Sequence, residues 1–419
     1  MACPSTSSSD PVRSRRRWAT TRTFFAFASL LVVLAGCETE SPQATDDDTR
    51  PWTREVVAQR LDEIRNTSTE AGRVAMLTEL AERAGPDAAD LLQHEVSSRV
   101  TTWRRLDRLL LIDAWSRLEP AAATRWANVG ASNDMANVAM EIAVANWARR
   151  DPQQVISAFP DIGGAGLDGV VSGWFEGGHP GLEVWIVEGL EVSTVPGQAA
   201  LANYFRRAIE AEGLEGARRR AEQMISDFPG VHRRVTILRQ AASEITMIDP
   251  DAGIAYYESL QSDEDGPAVL SEVAQRLAHH DGRRTLEWLR ARTEVDDDER
   301  MRITRAAYQI WGTWKRPEAM AWALEIPEAE RSARWFTGVA SRMVGMLSWE
   351  HPEQAIEWSA LIPDPKEREL ALVSIVRRWR GKNLIAAEAW LESSDLSEEA
   401  RAKARFYPKN FKGRKPPGG

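Results

Sequence analysis

Residues 115–126 read Trp-Ser-Arg-Leu-Glu-Pro-Ala-Ala-Ala-Thr-Arg-Trp: a tryptophan, a polar break ending in proline, then alanine and a second aromatic about one helical turn apart. The phrase returns, more or less complete, ten times between Ala84 and Leu391. Clear copies run from Trp147 to Phe159 around Asp151-Pro152, from Trp174 to Trp185 around His179-Pro180, and from Trp349 to Trp358 around His351-Pro352. Two more span Trp311 to Trp322 and Trp379 to Trp390. With the break as marker, the copies fall at 86, 120, 152, 180, 213, 250, 282, 317, 352 and 384, where Gly213, Gly282 and Leu384 replace the usual proline. The intervals range from 28 to 37 residues and average about 33, the size of a helix-turn-helix unit that buries its apolar face only against its neighbours.

The break has a local logic. Asp, Glu or His before Pro sets a polar residue ahead of a proline at the first helical position, where the missing N–H costs nothing. Ala355 with Trp358, and Ala387 with Trp390, then lie on one face of the helix that follows, which is expected to pack inward. The second helix of a unit often ends at an apolar-Pro pair, as at Phe159-Pro160, Phe228-Pro229, Ile326-Pro327 and Ile362-Pro363, since a residue before proline avoids the helical region. Alternating β-branched runs and hairpin dipeptides are nearly absent after residue 50. The body therefore reads as all-α. Between Pro160 and Gly181 eight glycines interrupt the pattern and the interval shrinks to 28, so either the helices shorten there or the stack bends.

Over roughly residues 51–403 these features resemble the α-solenoid families, tetratricopeptide-like and HEAT-like repeats. The resemblance is to the class, because the regular Trp-x-x-Leu-Gly opening and a uniform 34-residue register are missing, and it carries over no functional residue.

An address precedes the repeats. Arg13, Arg15, Arg16, Arg17 and Arg22 form a basic segment, Phe24 to Leu34 an apolar stretch, and Leu34-Ala35-Gly36-Cys37 closes it. This resembles the lipobox of bacterial lipoproteins, which implies cleavage before Cys37 and lipid on its thiol and amine. The apolar stretch is short for a membrane span. Ser14 to Trp18 also resembles a twin-arginine signal, with Ala19 where a large apolar residue is usual. Glu38 lacks the Asp that favours inner-membrane retention in enterobacterial lipoproteins, which leans toward the outer membrane. The expected organisation is a signal peptide at 1–36, an acylated tether at 37–50, a repeat domain at 51–403 and a basic, Pro- and Gly-rich disordered tail at 404–419. Cys3 and Cys37 are the only cysteines, so the mature chain is expected to have neither free thiol nor disulfide.

Removing residues 1–36 leaves 48 basic and 61 acidic residues, a net charge of −13 against −9 for the whole chain. Such a chain is a poor binder of nucleic acid or anionic lipid, so membrane association is expected through the anchor alone. Residues 206–239 depart from this, with eight arginines against five acids. Arg218, Arg219 and Arg220 are the candidate contacts to a protein partner, set against the plainer alternative of a solvated helix face.

Catalytic chemistry is not evident. Gly164, Gly166 and Gly169 have the G-x-G-x-x-G spacing, but a helix end and not a strand precedes them. The six histidines show no metal-binding spacing, and the acidic runs at 263–266 and 296–299 lack the alternation of a calcium loop. No cofactor is expected. The helical ring of soluble lytic transglycosylases is similar in texture, yet Tyr257-Glu258-Ser259-Leu260 is the nearest approach to a catalytic Glu-Ser. The resulting expectation is a lipid-anchored, periplasm-facing scaffold or adaptor that binds envelope proteins or peptides without catalysis. The alternative is a helical-toroid enzyme or binder of envelope polysaccharide, which would be marked by clustered carboxylates in a cleft.

Overall fold

The computed structural model of the protein describes residues 50–98, 103–132, 135–158, 164–260 and 265–406. The leader, Cys37, nearly all of the tether, and the tail from residue 407 lie outside the described residues, as does Phe159-Pro160. Among the described residues the elements are helical, and the only strand-like pairing is an isolated bridge between Trp52 and Ala84. The chain divides into two compact units, Met1–Ala114 and Trp115–Gly419.

The first unit holds α1 (Arg54–Asn66), α2 (Glu70–Arg83), a 3-10 turn (Pro86–Ala88), α3 (Ala89–Ser97) and most of α4 (Arg105–Leu118). Trp52 ties its start to the end of α2. Its N–H donates to the Arg83 carbonyl at 2.6 Å, its own carbonyl accepts from Gly85 at 2.9 Å, and the Arg60 and Arg83 guanidinium groups lie 5.2 and 4.9 Å from its ring centre. A buried Arg73–Asp107 ion pair at 3.3 Å joins α2 to α4, an arrangement worth little net stability but costly to break on one side only.

The second unit is an α-solenoid of alternating long and short helices. The long ones are α6 (Ala136–Arg150), α8 (Ala165–Gly177), the first half of α10 (Val195–Asp227), α11 (Val231–Ile248), α13 (Gly266–His280), α15 (Asp297–Trp314), α18 (Thr337–Leu347) and α20 (Pro365–Lys382). Between them lie α5 (Pro120–Val129), α7 (Pro152–Ala158), α9 (Leu182–Val184) with a π turn after it, α12 (Pro250–Leu260), α14 (Gly282–Arg290), α16 (Arg316–Glu325) with the one-turn α17 (Glu328–Arg331), α19 (Pro352–Ser359) and α21 (Leu384–Ser393). The unit ends in α22 (Glu398–Arg405). Each long helix packs on the next long helix and on the short helices beside it, and extensive contact never joins the first helices of this unit to the last among the described residues. Burial therefore propagates from neighbour to neighbour, as a repeat array requires.

At seven long-to-short turns one residue links the two helices by its backbone hydrogen bonds, the turn from α8 to α9 being longer. Glu119, Asp151, Asp249, Asp281, Lys315, His351 and Asn383 all sit at φ between −151° and −128° with positive ψ. The N–H of each closes the long helix by donating to the carbonyl four residues back, on Trp115, Trp147, Ile245, Leu277, Trp311, Leu347 and Trp379. The carbonyl of the same residue opens the short helix by accepting from the residue four ahead, which is Ala123, Val155, Gly253, Thr285, Ala319, Ala355 or Ala387. Asp151, Asp249, Asp281 and Asn383 also cap with their side chains, accepting backbone N–H groups at 2.9–3.1 Å. Three residues beyond the carbonyl's partner stands the second aromatic: Trp126, Tyr256, Trp288, Trp322, Trp358 or Trp390. The two aromatics of a copy meet, with ring centres 6.0 Å apart for Trp115–Trp126, 5.6 Å for Trp174–Trp185 and 6.2 Å for Trp311–Trp322.

Two glycines that replace proline at the break do so for separate reasons. Gly213 interrupts α10 at φ 74°, ψ −178°, a left-handed conformation that glycine adopts without steric cost, so α10 is two helices joined at a kink. Gly282 lies under the next repeat: a Cβ there would fall 2.0 Å from Cγ of Trp311.

The glycine-rich region does not merely shorten the stack. Gly169, Gly173 and Gly177, one turn apart on α8, press against α6, where added Cβ atoms would fall 2.6 Å from the Glu141 carbonyl oxygen, 2.0 Å from that of Ala145 and 2.6 Å from that of Arg149. These two helices meet backbone to backbone along the seam. Trp349 is the exception among the quoted tryptophans: it is 44% exposed, and Leu347 occupies the buried position that tryptophan fills in other copies. Trp349 stands two residues before its turn and not four, which rotates it out of the core.

Candidate functional site

The three arginines singled out in the sequence occupy different settings. Arg220 is tied into the kink. Its guanidinium bonds Glu212 at 2.6 and 2.9 Å and the Tyr204 hydroxyl at 2.9 Å, and lies 4.8 Å from the Phe175 ring centre. Tyr204 in turn donates to Glu183 at 2.7 Å, and burial pushes its phenol well above the usual range. Since Glu212 directly precedes Gly213, this network fixes the kink. Arg218 stacks 5.5 Å from the Tyr256 ring centre and pairs with Glu215 at 3.7 Å. Arg219, 62% exposed and 3.4 Å from Glu212, is the member most open to a partner.

A more extended feature is the row of polar contacts that joins most successive long helices. Asn146 donates to Ser116 Oγ at 2.7 Å, Arg149 pairs with Glu176, and Asn203 donates to the Asp168 carbonyl at 2.9 Å. Arg206 pairs with Glu244 at 3.3 Å, Arg239 with Glu272 at 3.3 Å, and Arg276 donates to Ser243 Oγ at 2.7 Å. Further on, Arg342 donates to the Gln309 side chain and Arg378 to Ser348 Oγ. The residues in this row recur near the repeat spacing: Asn146, Asn203 and the receiving serines are buried, while Arg149, Arg206, Arg239 and Arg276 are partly exposed, so one face of the second unit carries a ribbon of arginine groups over buried amides and hydroxyls. Sequence reading missed it because each member looks like an ordinary solvated helix residue.

Within this region lies one carboxylate pair. Glu141 on α6 and Asp168 on α8 are half-buried. Burial, reinforced by the Asp168 charge and opposed by Arg207 and Arg206, pushes Glu141 up to about 7. Burial also raises Asp168, again against Arg206 and Arg207. A carboxyl that holds its proton near neutrality is suited to proton transfer or to sensing pH. The G-x-G-x-x-G glycines have structural roles: Gly164 precedes α8 at a positive φ of 55°, and Gly169 lies on the α6 seam.

Among the described residues no cluster of three or more His, Cys, Asp or Glu is placed to hold a metal ion, and no helix is long and apolar enough to cross a membrane. No protein-family model matches the chain, and searches of curated proteins and of solved structures gave no match either.

Proposed function

We propose that the protein is a non-catalytic scaffold or adaptor of the bacterial cell envelope, lipid-anchored through Cys37 and periplasm-facing, which binds other envelope proteins or peptides on the long-helix face of its solenoid. The observation that carries the reading is the ribbon of arginine side chains that recurs near the repeat spacing along the long helices, a surface suited to an extended partner. Photo-cross-linking in native cells tests it. A cross-linker at Arg239 or Gln309, on long helices, is expected to trap a discrete set of proteins, whereas one at Glu318 or Glu353, on short helices, is expected to trap none. Equal labelling from both sets overturns the reading. Anchoring is tested separately: Cys37→Ser is expected to leave an uncleaved precursor without lipid, and normal acylation of that variant overturns the lipoprotein assignment.

The raised carboxyl of Glu141 beside Asp168 favours a second reading, an enzyme acting on envelope polysaccharide. Cleavage of peptidoglycan by the purified protein, abolished by Glu141→Gln, would replace the scaffold proposal.

A further inference from the structure

The long-helix ribbon is mostly self-neutralising. Arg149, Arg206, Arg239 and Arg276 each face a glutamate on the same or the adjacent long helix. Arg305 on α15 and Arg342 on α18 break this rule, since neither pairs with a carboxylate among the described residues and the charged neighbour acting on Arg342 is Arg305 itself. The juxtaposition is enforced by packing. A Cβ on Gly338 would fall 2.6 Å from the Met301 carbonyl oxygen and 2.8 Å from Cβ of Arg305, so the helices close tightly one turn before Arg342. Arg305 is exposed, while Arg342 is half-buried, its Nε without a hydrogen-bond partner and its terminal nitrogen held by Oε1 of Gln309. That bond leaves the Gln309 amide N–H₂ as a donor beside the two guanidinium groups.

We infer that Arg305, Arg342 and Gln309 form a docking point for the carboxylates of an acidic, extended polypeptide segment, which rests on the scaffold reading and names its partner's chemistry. Two like charges brought together without a counterion in an acid-rich chain lack the complement that a partner would supply. Guanidinium groups match carboxylates through paired N–H donors. The geometry favours a segment over a single small anion. Neighbouring helix axes lie about 8–10 Å apart, and carboxylates two or three residues apart on an extended chain span roughly 7–10 Å, so one segment can reach an arginine on each helix. Gln309 adds a donor for a peptide carbonyl between them.

The test is fluorescence anisotropy with the full chain in detergent and a labelled peptide that alternates glutamate and glycine. The peptide is expected to bind, with affinity falling as salt rises, and Arg305→Gln to weaken it roughly tenfold, about 1.4 kcal/mol. Arg125→Gln, an exposed arginine on α5, is the control expected to leave binding unchanged. Because Arg305 is exposed and faces a like charge, its replacement is expected to keep or raise the thermal midpoint, and this variant decides the matter if Arg342→Gln disturbs folding. Absence of binding, equal binding by Arg305→Gln, or displacement of the peptide by inorganic phosphate below the peptide's own dissociation constant overturns the inference. If the peptide fails while cross-links from Arg239 and Gln309 persist, the docking point falls and the scaffold stands; if both fail, the scaffold falls too.

Discussion

The α6–α8 pair and the repeats from α11 to α21 solve one problem, burying helix against helix, by opposite means. In the later repeats large aromatics fill the space between helices, with Tyr308 lying 6.5 and 6.2 Å from the Trp311 and Trp322 ring centres, and Trp358 6.1 Å from Phe336. At α6–α8 the space is removed: Gly173 lets the backbones touch where a Cβ would be only 2.0 Å from a carbonyl oxygen. The first solution tolerates adjustment because side chains can shift rotamer. The second is rigid, since a backbone cannot move without moving its helix. A repeat protein can therefore keep one architecture while its local tolerance to change differs greatly along its length.

The largest expected effect tests the rigid seam. Gly173→Ala is expected to cost more than the roughly 1–3 kcal/mol of ordinary overpacking, because the obstacle is backbone. Gly345→Ala, where an added Cβ meets nothing within 4 Å, is expected to stabilise by about 0.5–1 kcal/mol through helix propensity. Chemical denaturation of both variants checks the pair, and similar outcomes would erase the contrast. Trp358→Ala probes the aromatic solution. It is expected to cost about 3–5 kcal/mol, with the loss concentrated in neighbouring repeats and visible as local hydrogen exchange.

Glu141 adds a pH dependence to the seam. Its carboxyl is raised from 4.5 to about 7 in the folded protein, so the folded state binds the proton more tightly than the unfolded one. Stability is then lost as pH rises from about 4.5 through 7, by up to about 3 kcal/mol at 1.36 kcal/mol per pKa unit. Glu141→Gln is expected to flatten that slope, matching the parent near pH 4 and exceeding it near pH 8. A parallel slope in urea titrations of the two proteins would contradict the assignment. The smallest loss is expected at the cap of a regular turn: Asp281→Ala costs about 1 kcal/mol, read as a shift in the denaturation midpoint.

Much of the fold was legible because the turns are punctuated. A polar residue before proline, and an aromatic four residues ahead of it, mark a helix end in the sequence as clearly as in space, and even Gly213, which has no proline, was placed at the true kink. The all-α solenoid followed from that. What escaped was phase and partnership. Trp349 stands two residues before its turn residue His351 and Trp311 four before Lys315, which sends one ring outward and the other inward. The glycine seam looked like an interruption because its function depends on the helix facing it. Arg220 looked available because its partners, Glu183, Tyr204 and Phe175, are remote in sequence. The uncompensated Arg305 and Arg342 were invisible for the same reason: acids such as Asp298 and Glu367 lie on the adjoining helices, and only the folded structure shows that none of those described pairs with either arginine.

The single-residue turn also bears on how such a chain can evolve. Because one residue both ends a helix and begins the next, inserting or deleting a position there would spin every downstream side chain of the short helix by about 100° and turn its aromatic away from the core. The connections from short helix back to long helix carry no such obligation, and they differ in length, from the segment between Ser359 and Pro365 to that between Glu325 and Thr337, which admits an extra helical turn. Length variation among the copies is expected to accumulate on that side alone, so the chain can drift in period while its folding register stays fixed.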